Sequence, residues 1–377
     1  MRSIKKIRNV KGTTVLLRAA LNVPIKDGKV AGTFRLYQAL PTILYLQKKG
    51  AKVVLVGHLG DKGTETLRPV FEAMKAMVPV MDFCPVSVGK EAHEAVSRMK
   101  NGDVLMLENV RWMKGEKEND PHFASELASL ADIFVQDSFD VCHRKHASVV
   151  GVPALLPAYA GFLVEEEVKQ LKKALKPKRP ALAVIAGAKF STKEPVLHAL
   201  LHHYSHLFVG GALANDLLKT QGFYMGESLV SGGDEVAMRE LTENPHVLLP
   251  PDAIIAAPDA PSSEGEIVLV SRVQEHTAIL DIGPGTIEYL KPYITKAKTV
   301  LWNGTLGKYE NGFTDGTEAL ARALLASRAH VIVGGGDTVT ALDELGLTKK
   351  FGFVSTGGGA MLDFLAQGTL PGLDALK

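Results

Sequence analysis

The chain has 377 residues, 46% of them apolar and 22% charged; at about 150 residues per domain this predicts two or three domains and excludes a largely disordered chain. No apolar run reaches the roughly 18 residues of a membrane span, and the basic start Met1-Arg-Ser-Ile-Lys-Lys-Ile is not followed by an apolar stretch, so neither a membrane protein nor a signal peptide is expected. The net charge of +2 conceals an asymmetry: residues 1–160 carry 23 Lys+Arg against 16 Asp+Glu, net +7, and residues 161–377 carry 20 against 25, net −5. No Lys/Arg-rich run accompanies the basic half, which favours a small acidic substrate over nucleic acid. Cys84 and Cys142 form neither a disulfide framework nor a four-Cys zinc site, and a reducing cytoplasm is expected.

In chain order, short β-branched apolar runs over 13–21, 51–59, 103–110 and 131–139 alternate with helical patterns over 35–49 and 89–100. The segment 161–180 is helix-like and charged (Glu165-Glu-Glu, Lys169, Lys172-Lys173) and ends in Lys176-Pro-Lys-Arg-Pro180. It reads as a connector between two compact bodies, and the charge balance changes sign there. Apolar runs resume over 181–188, 206–213, 246–256, 277–284, 299–304, 330–337 and 351–359, with a helix over 314–328. Nearly continuous apolar strands alternating with helices predict parallel sheets covered on both faces: an α/β chain of two doubly wound, Rossmann-like domains joined by a helix.

Ligands of open parallel sheets bind beyond the C-terminal strand ends. In the basic half these ends carry Arg18-Ala-Ala-Leu-Asn22, His58-Leu-Gly60, Glu108-Asn-Val-Arg111 and His143-Arg144-Lys-His146, and Arg35 opens the first helix. Converging Arg and His would hold phosphate and carboxylate, since guanidinium forks bind such oxygens bidentately. In the acidic half the ends are glycine-rich: Gly187-Ala-Lys189, Gly210-Gly211, Asp281-Ile-Gly-Pro284, Trp302-Asn303-Gly304, Gly334-Gly335-Gly336-Asp337 and Thr356-Gly-Gly-Gly359. Glycine loops before helices aim free N–H groups at one spot, where the helix dipole favours an anion; six such loops are expected on one sheet edge.

A P-loop is absent, because Gly28-Lys29, Gly89-Lys90 and Gly307-Lys308 are followed by Val, Glu and Tyr. Gly283-Pro-Gly285-Thr-Ile-Glu288 lacks the third glycine of a dinucleotide fingerprint, and His143-Arg-Lys145 is not the protein-kinase His-Arg-Asp. His198, His202 and His206 fall at helical spacing, and without a partnering Cys or carboxylate they read as a surface face rather than a metal site. Cys142 beside His143 reads as a packing cysteine, not a nucleophile.

Over essentially its whole length the chain resembles the phosphoglycerate kinase family. The resemblance rests on Arg18…Asn22-Val-Pro24, Arg35, Ala39-Leu-Pro-Thr42, His58-Leu-Gly60, Glu108-Asn-Val-Arg111 and His143-Arg-x-His146. In the second half it rests on Gly187-Ala-Lys189…Lys193, Asp281-Ile-Gly-Pro284, Trp302-Asn-Gly304, Glu310, Gly334-Gly-Gly-Asp337-Thr338 and Ser355-Thr-Gly-Gly-Gly-Ala360. It implies a 3-phosphoglycerate-binding domain over 1–160, an interdomain helix and nucleotide-binding domain over 161–361, and a tail over 362–377 returning to the first domain. It also implies a cytoplasmic, hinge-bending, monomeric glycolytic enzyme that transfers a phosphoryl group from 1,3-bisphosphoglycerate to ADP, giving 3-phosphoglycerate and ATP with Mg²⁺, without nucleic-acid or membrane partners. By that resemblance Arg35, Lys189, Gly336 and Gly359 are catalytic. Arg18, Asn22, Arg35, His58, Arg111, His143, Arg144 and His146 bind the acid substrate. Lys189, Lys193, Gly210, Gly211, Asn303, Glu310, Gly334, Gly335, Gly336, Asp337 and Thr338 bind nucleotide, and Asp337 holds the magnesium.

Departures from the family pattern occur in both halves, and two of them fall in the acid-substrate site. Ala20 stands where the pattern has Asp, and Asp61-Lys62-Gly63 replaces Arg-Pro-Lys-Gly in a loop one residue shorter, with Lys62 as a candidate substitute for the missing Arg. Gln136 and Asp140 replace a usual Asn and Gly. In the other half Gly285 stands for a lysine, Gly210-Gly-Ala-Leu-Ala-Asn215 for Gly-Gly-Gly-x-Ala-Tyr, and Asn303-Gly-Thr-Leu-Gly-Lys308-Tyr-Glu310 for Asn-Gly-Pro-Met-Gly-Val-Phe-Glu. The transfer residues are complete, which favours an active kinase. A paralogue with another acid substrate and a non-catalytic nucleotide-binding homologue stay open. A nicotinamide dehydrogenase is disfavoured by the missing fingerprint.

Overall fold

The structure, a computed structural model, describes residues 1–78 and 80–376. Its backbone forms two compact units: Met1–Lys169 with the segment from Thr369 onward, and Gln170–Gly368. Among the described residues no helix is long and apolar enough to cross a membrane.

The first unit contains β1 (Thr14–Ala19), β2 (Ile25–Lys26), β3 (Lys29–Val30), β4 (Lys52–Val56), β5 (Met81–Cys84), β6 (Val104–Leu107), β7 (Ile133–Asp137) and β8 (Ala158–Ala160). Six of them form a sheet in the order β5-β6-β4-β1-β7-β8, every pair parallel, and β2 and β3 form a separate hairpin. Parallel strands buried on both faces need apolar residues at every position, and β1 and β4 are buried along all but their first residue. The helix Phe34–Lys48 covers one face with Leu36, Ala39, Ile43 and Leu46, which lie against Leu17, Leu55 and Met106 in the unit's core.

The helix Phe162–Leu175 carries the chain from one unit to the other, and the division between them falls within it rather than at residue 161. The helix ends at Leu175, so the expected 161–180 segment is helical only in its earlier part; Pro177 and Pro180 cannot continue the hydrogen-bond ladder. Asp137, at the end of β7, accepts from the N–H groups of Leu163 at 2.9 Å and Val164 at 3.3 Å, and Thr42 Oγ1 accepts from Phe162 at 3.0 Å. The returning segment begins at Thr369, because residues up to Gln367 belong to the helix Gly358–Gln367 of the second unit. It packs through buried Leu370, Leu373 and Leu376, and Gly372 donates to the carbonyl of Cys142 at 2.8 Å.

The second unit contains β9 (Ala181–Ala186), β10 (His206–Gly210), β11 (Val247–Leu248), β12 (Asp252–Ala256), β13 (Glu266–Leu269), β14 (Ala278–Ile282), β15 (Thr299–Asn303), β16 (His330–Gly334) and β17 (Phe353–Val354). Its parallel six-stranded sheet runs β11-β10-β9-β15-β16-β17. Several expectations are corrected here. The run 246–256 is two strands in two sheets, because Pro250 and Pro251 interrupt it. The run 277–284 yields β14 of a small antiparallel sheet, β13-β12-β14, so five glycine-rich ends, not six, lie on the large sheet. Strand character over 206–213, 330–337 and 351–359 stops at Gly210, Gly334 and Val354, and helices begin at Ala212, Gly336 and Gly358. The helix Phe190–His203 ends before His206, which lies on β10, so His198, His202 and His206 share no helix face.

Burial raises the Asp137 carboxyl from its ordinary 3.8 to about 7. The folded chain thus retains a proton that the unfolded chain releases, and this contribution to stability is lost as the pH rises from about 4 through about 7. Asp137→Asn keeps an acceptor for the helix N-terminus and cannot ionise. Its melting temperature should therefore fall less than the parent's between about pH 5 and about pH 8, measured by thermal denaturation at both; equal falls would show that the ionised carboxylate is held without cost.

Candidate active site

At the C-terminal edge of the first sheet, β1 delivers Arg18 into the interior with 0% exposure. A buried guanidinium is tolerated only when its N–H groups find partners. Here Nε donates to Ser148 Oγ at 2.9 Å, Nη1 to the carbonyl of Ala19 at 3.0 Å and Nη2 to His58 Nδ1 at 3.0 Å. Arginine only donates, so His58 Nδ1 is the acceptor and the ring is neutral. Burial, then the charges of Arg18, Arg111, Arg35 and His146, hold its pKa well below 6.5. Ser148 is held in turn by Glu116, whose carboxylate accepts from the Ser148 hydroxyl at 2.6 Å and its N–H at 2.9 Å and lies 3.8 Å from His146 Nδ1. His146 is pushed down to about 4 by burial and then by Arg111, Arg18, Arg144 and Lys117.

Asn22 and Arg35 join the same rim. Arg35 Nη1 donates to the Asn22 carbonyl, and Asn22 Oδ1 accepts from the Gly60 N–H at 3.1 Å. Arg111 is anchored by the carbonyl of Gly60 at 2.6 Å, while Asn109 ties the loop down through the carbonyls of Leu59 and Glu65, each at 2.8 Å. Arg144 is exposed and His143 half-buried on the segment after β7. Ala20, which replaces an aspartate of the family pattern, is fully buried. Arg18, Arg35 and Arg111 lie close enough to His58, and Arg111, Arg18, Arg144 and Lys117 close enough to His146, to lower each ring's pKa, so these cations share one rim. Glu116 and Ser148 went unnoticed in sequence; neither follows a strand, and they meet Arg18 only through folding.

In the second unit, four helices start shortly after strands of the large sheet, at Phe190, Ala212, Gly336 and Gly358, none capped by the side chain of its own N-cap residue. At two of them first-turn N–H groups are already spent, Phe190 on Ser231 Oγ at 3.0 Å and Leu213 on the Gly187 carbonyl at 2.9 Å, which leaves the starts at Gly336 and Gly358 as the more open places for an anion. Gly335 sits at φ +108°, and a side chain there would meet Thr338 Oγ1 at 2.9 Å; that hydroxyl accepts from the Gly304 N–H at 2.9 Å and ties two glycine loops together. Lys193 donates to Asn303 Oδ1 at 3.3 Å, and burial lowers its pKa to about 8 against the opposing pull of Asp337 and Asp363. Asn303 Nδ2 is buried without a partner, a donor left over for a ligand. Lys189 and Asp337 are exposed, at the starts of the helices that begin at Phe190 and Gly336.

A cavity of about 470 Å³ opens among these loops, lined by Gly187, Gly211, Glu310 and Asp337 together with Leu229, Pro258, Ala278, Ile279, Leu280 and Lys308. Its size and apolar wall suit a small organic ligand. The wall comes from β14 and the neighbouring loops, which sequence reasoning did not assign to the site, because antiparallel pairing carries no fixed rule for where ligands bind. The loop after β14 is not an anion cradle: Asp252 already accepts from the N–H groups of Gly285 and Thr286, both at 2.7 Å. A side chain at Gly285 would meet the Asp252 carboxylate at 2.7 Å, so the loop as folded here has no room for the lysine of the family pattern. Among the described residues no cluster of three or more His, Cys, Asp or Glu could hold a metal. A divalent cation would need phosphate oxygens beside Asp337, the usual donor set of nucleotide-bound magnesium.

A doubly wound α/β chain with a basic rim on one unit and uncapped glycine-loop helices around a cavity on the other defines a protein that handles phosphorylated small molecules. Residues 4–368 match the family model for phosphoglycerate kinase. The phosphoglycerate kinases of Thermus thermophilus and Moorella thermoacetica are each 43% identical to this chain, over 97% of both chains in the first case and over 96% of this chain and 95% of the relative in the second. Among solved structures, phosphoglycerate kinase from Coxiella burnetii superposes with a TM-score of 0.83 at 36% identity, covering 99% of this chain and 98% of that one. The enzyme from Pyrococcus horikoshii gives 0.90 at 29% identity, covering 100% and 98%. The chain belongs to the phosphoglycerate kinase family.

Removing one member of a buried charged network strands the others. Glu116→Ala, which deprives Ser148 and hence Arg18 of support, should cost about 3 kcal/mol in chemical denaturation. A loss below about 1 kcal/mol would mean that Glu116 is dispensable to the rim.

Proposed function

We propose that the chain catalyses reversible phosphoryl transfer between 1,3-bisphosphoglycerate and ADP, giving 3-phosphoglycerate and ATP. The observation that carries this reading is the pairing of a converged basic rim, built around buried Arg18, with uncapped helix N-termini that share Lys193 and the Asp337 cavity. In the direction of ATP use, a carboxylate oxygen of 3-phosphoglycerate attacks the γ-phosphorus while the bond to the bridging oxygen breaks, leaving ADP. Little covalent chemistry falls to the protein, so positioning and charge neutralisation dominate. In this reading His58, Arg111, Arg144 and Asn22 hold the acid, and Arg35 and Lys189 neutralise the moving phosphoryl group. Lys193, Asn303 and the N–H groups of the 334–336 and 357–359 loops hold the nucleotide phosphates, and Glu310 faces the sugar. Asp337 would hold the magnesium of a bound nucleotide, and that ion would supply further neutralisation. The two ligands belong to different units, so transfer requires the units to bring them into line and exclude water. The reading includes a cytoplasmic monomer, in keeping with free, buried Cys84 and Cys142.

The deciding experiment is 3-phosphoglycerate-dependent formation of ADP from Mg-ATP. A second reading, a kinase for another small carboxylate, is favoured by Ala20 and Asp61; nucleotide binding without 3-phosphoglycerate binding would select it. In the kinase reading Lys189→Ala should lower kcat about a hundredfold or more and change KM far less, since its contact forms mainly in the transition state. A kcat within a few-fold of the parent would remove Lys189 from that role. Lys193 is charged below about pH 8 and neutral above it. Nucleotide affinity, measured by calorimetry, should therefore decline from about pH 7 to about pH 9 in the parent and stay nearly flat in Lys193→Arg, whose guanidinium keeps its charge.

A further inference from the structure

The loop after β4 places the Asp61 side chain, 98% exposed, with Oδ1 2.8 Å from Nη1 of Arg111, whose own side chain is only 7% exposed. The Asp61 carbonyl also accepts from Lys117 Nζ, which fixes the loop against the segment that carries Arg111. Arg111 Nε is buried without a partner, so its fork is incompletely used even though a carboxylate already sits on it. A guanidinium binds carboxylate and phosphate through the same N–H groups, so an incoming anion and Asp61 compete for one donor. Among the described residues Arg111 is this carboxylate's one ion-pair partner; exposed and anchored through its backbone, the carboxylate can swing into water without disturbing packing.

We propose that Asp61 is an internal anion that competes with the acid substrate for Arg111 and so sets the affinity and specificity of the basic rim. The inference rests on the reading of that rim as the acid-substrate site. A phosphate or carboxylate must displace Asp61 and then lie beside a like charge, a penalty that falls most heavily on dianionic ligands. Ligands are thereby selected by how many oxygens they place on the remaining cations, among them Arg35 and Arg144. Asp61 is a specificity-determining residue rather than a catalytic one.

The test is calorimetric titration of the full-length protein and its Asp61→Asn variant, without nucleotide and at low ionic strength, with 3-phosphoglycerate and separately with inorganic phosphate. Asparagine keeps the size and an acceptor for Arg111 while removing the charge. Asp61→Asn should bind both anions roughly three- to tenfold more tightly, the range expected for relieving an exposed ion pair and a nearby like charge. The gap should narrow as salt screens the site. Unchanged affinity for both anions overturns the inference. So does weaker binding, which would make Asp61 a latch that orients Arg111; Asp61→Ala, which also removes the acceptor, would then weaken binding further. If both proteins bind 3-phosphoglycerate equally, the acid-substrate reading stands and the role of Asp61 falls. If neither binds 3-phosphoglycerate while the variant gains phosphate affinity, the competition stands and the acid-substrate reading falls. Thermal melts within about 2 °C of each other exclude a folding defect as the cause.

Discussion

Parallel pairing obliges every strand of a sheet to leave by the same edge, and the chemistry of this chain follows from that constraint. In the first unit β1 is central, with its Arg18 paired in register to Val56 of β4 and Gln136 of β7. The residues just beyond those positions, Asn22, His58 and the 143–146 segment, therefore emerge side by side although far apart in sequence. In the second unit β9 plays the same part. Gly210 lies opposite Ala186, Asn303 opposite Ile185 and Gly334 opposite Asn303, which sets the glycine loops shoulder to shoulder. One geometric rule thus gathers cations on one unit and glycine loops with their helix starts on the other.

What the rule gathers, burial must make tolerable. Arg18 and His58 are nearly inaccessible, and two cations there would repel; the neutral ring of His58, accepting from Arg18, removes one of them. Glu116 supplies the compensating negative charge at one remove, through the Ser148 hydroxyl. This divides the rim into a buried inner layer that is charge-balanced and a more accessible outer layer with Arg35, Arg111 and Arg144. The balance explains how the rim tolerates Ala20: a methyl group in a fully buried position adds no charge to be compensated.

The second unit manages carboxylates by a different route. Asp281 and Asp252 are both buried beside the cavity wall and spend their oxygens on backbone N–H groups, of Gly316 and Ile282 in one case and of Gly285 and Thr286 in the other. Burial still raises Asp281 to about 7, so those bonds only partly repay its desolvation. These carboxylates shape the loops; Asp337 and Glu310, which line the cavity with fewer commitments of their own, are left for a ligand.

The sequence by itself determined the α/β class, the parallel sheets and most of the residues at their edges. Continuous apolar strands have one stable environment, and motifs such as Gly334-Gly-Gly-Asp337 and His143-Arg-x-His146 announce strand ends wherever the strands lie. Strand limits were less legible at 206–213 and 330–337, because a single glycine, Gly211 or Gly335, separates strand from helix and periodicity cannot mark the change over so few positions. The third sheet was hidden because β12 and β14 read as two more apolar runs, and only pairing reveals that they run antiparallel and that β14 walls the cavity. Tertiary structure alone decided that Glu116 and Ser148 support Arg18, that Asp137 caps the connecting helix, and that Asp61 rests on Arg111. Each joins residues whose separation in sequence carries no period or motif, and their meeting is set by which strand neighbours which, a property of the folded sheet and not of any local run of residues.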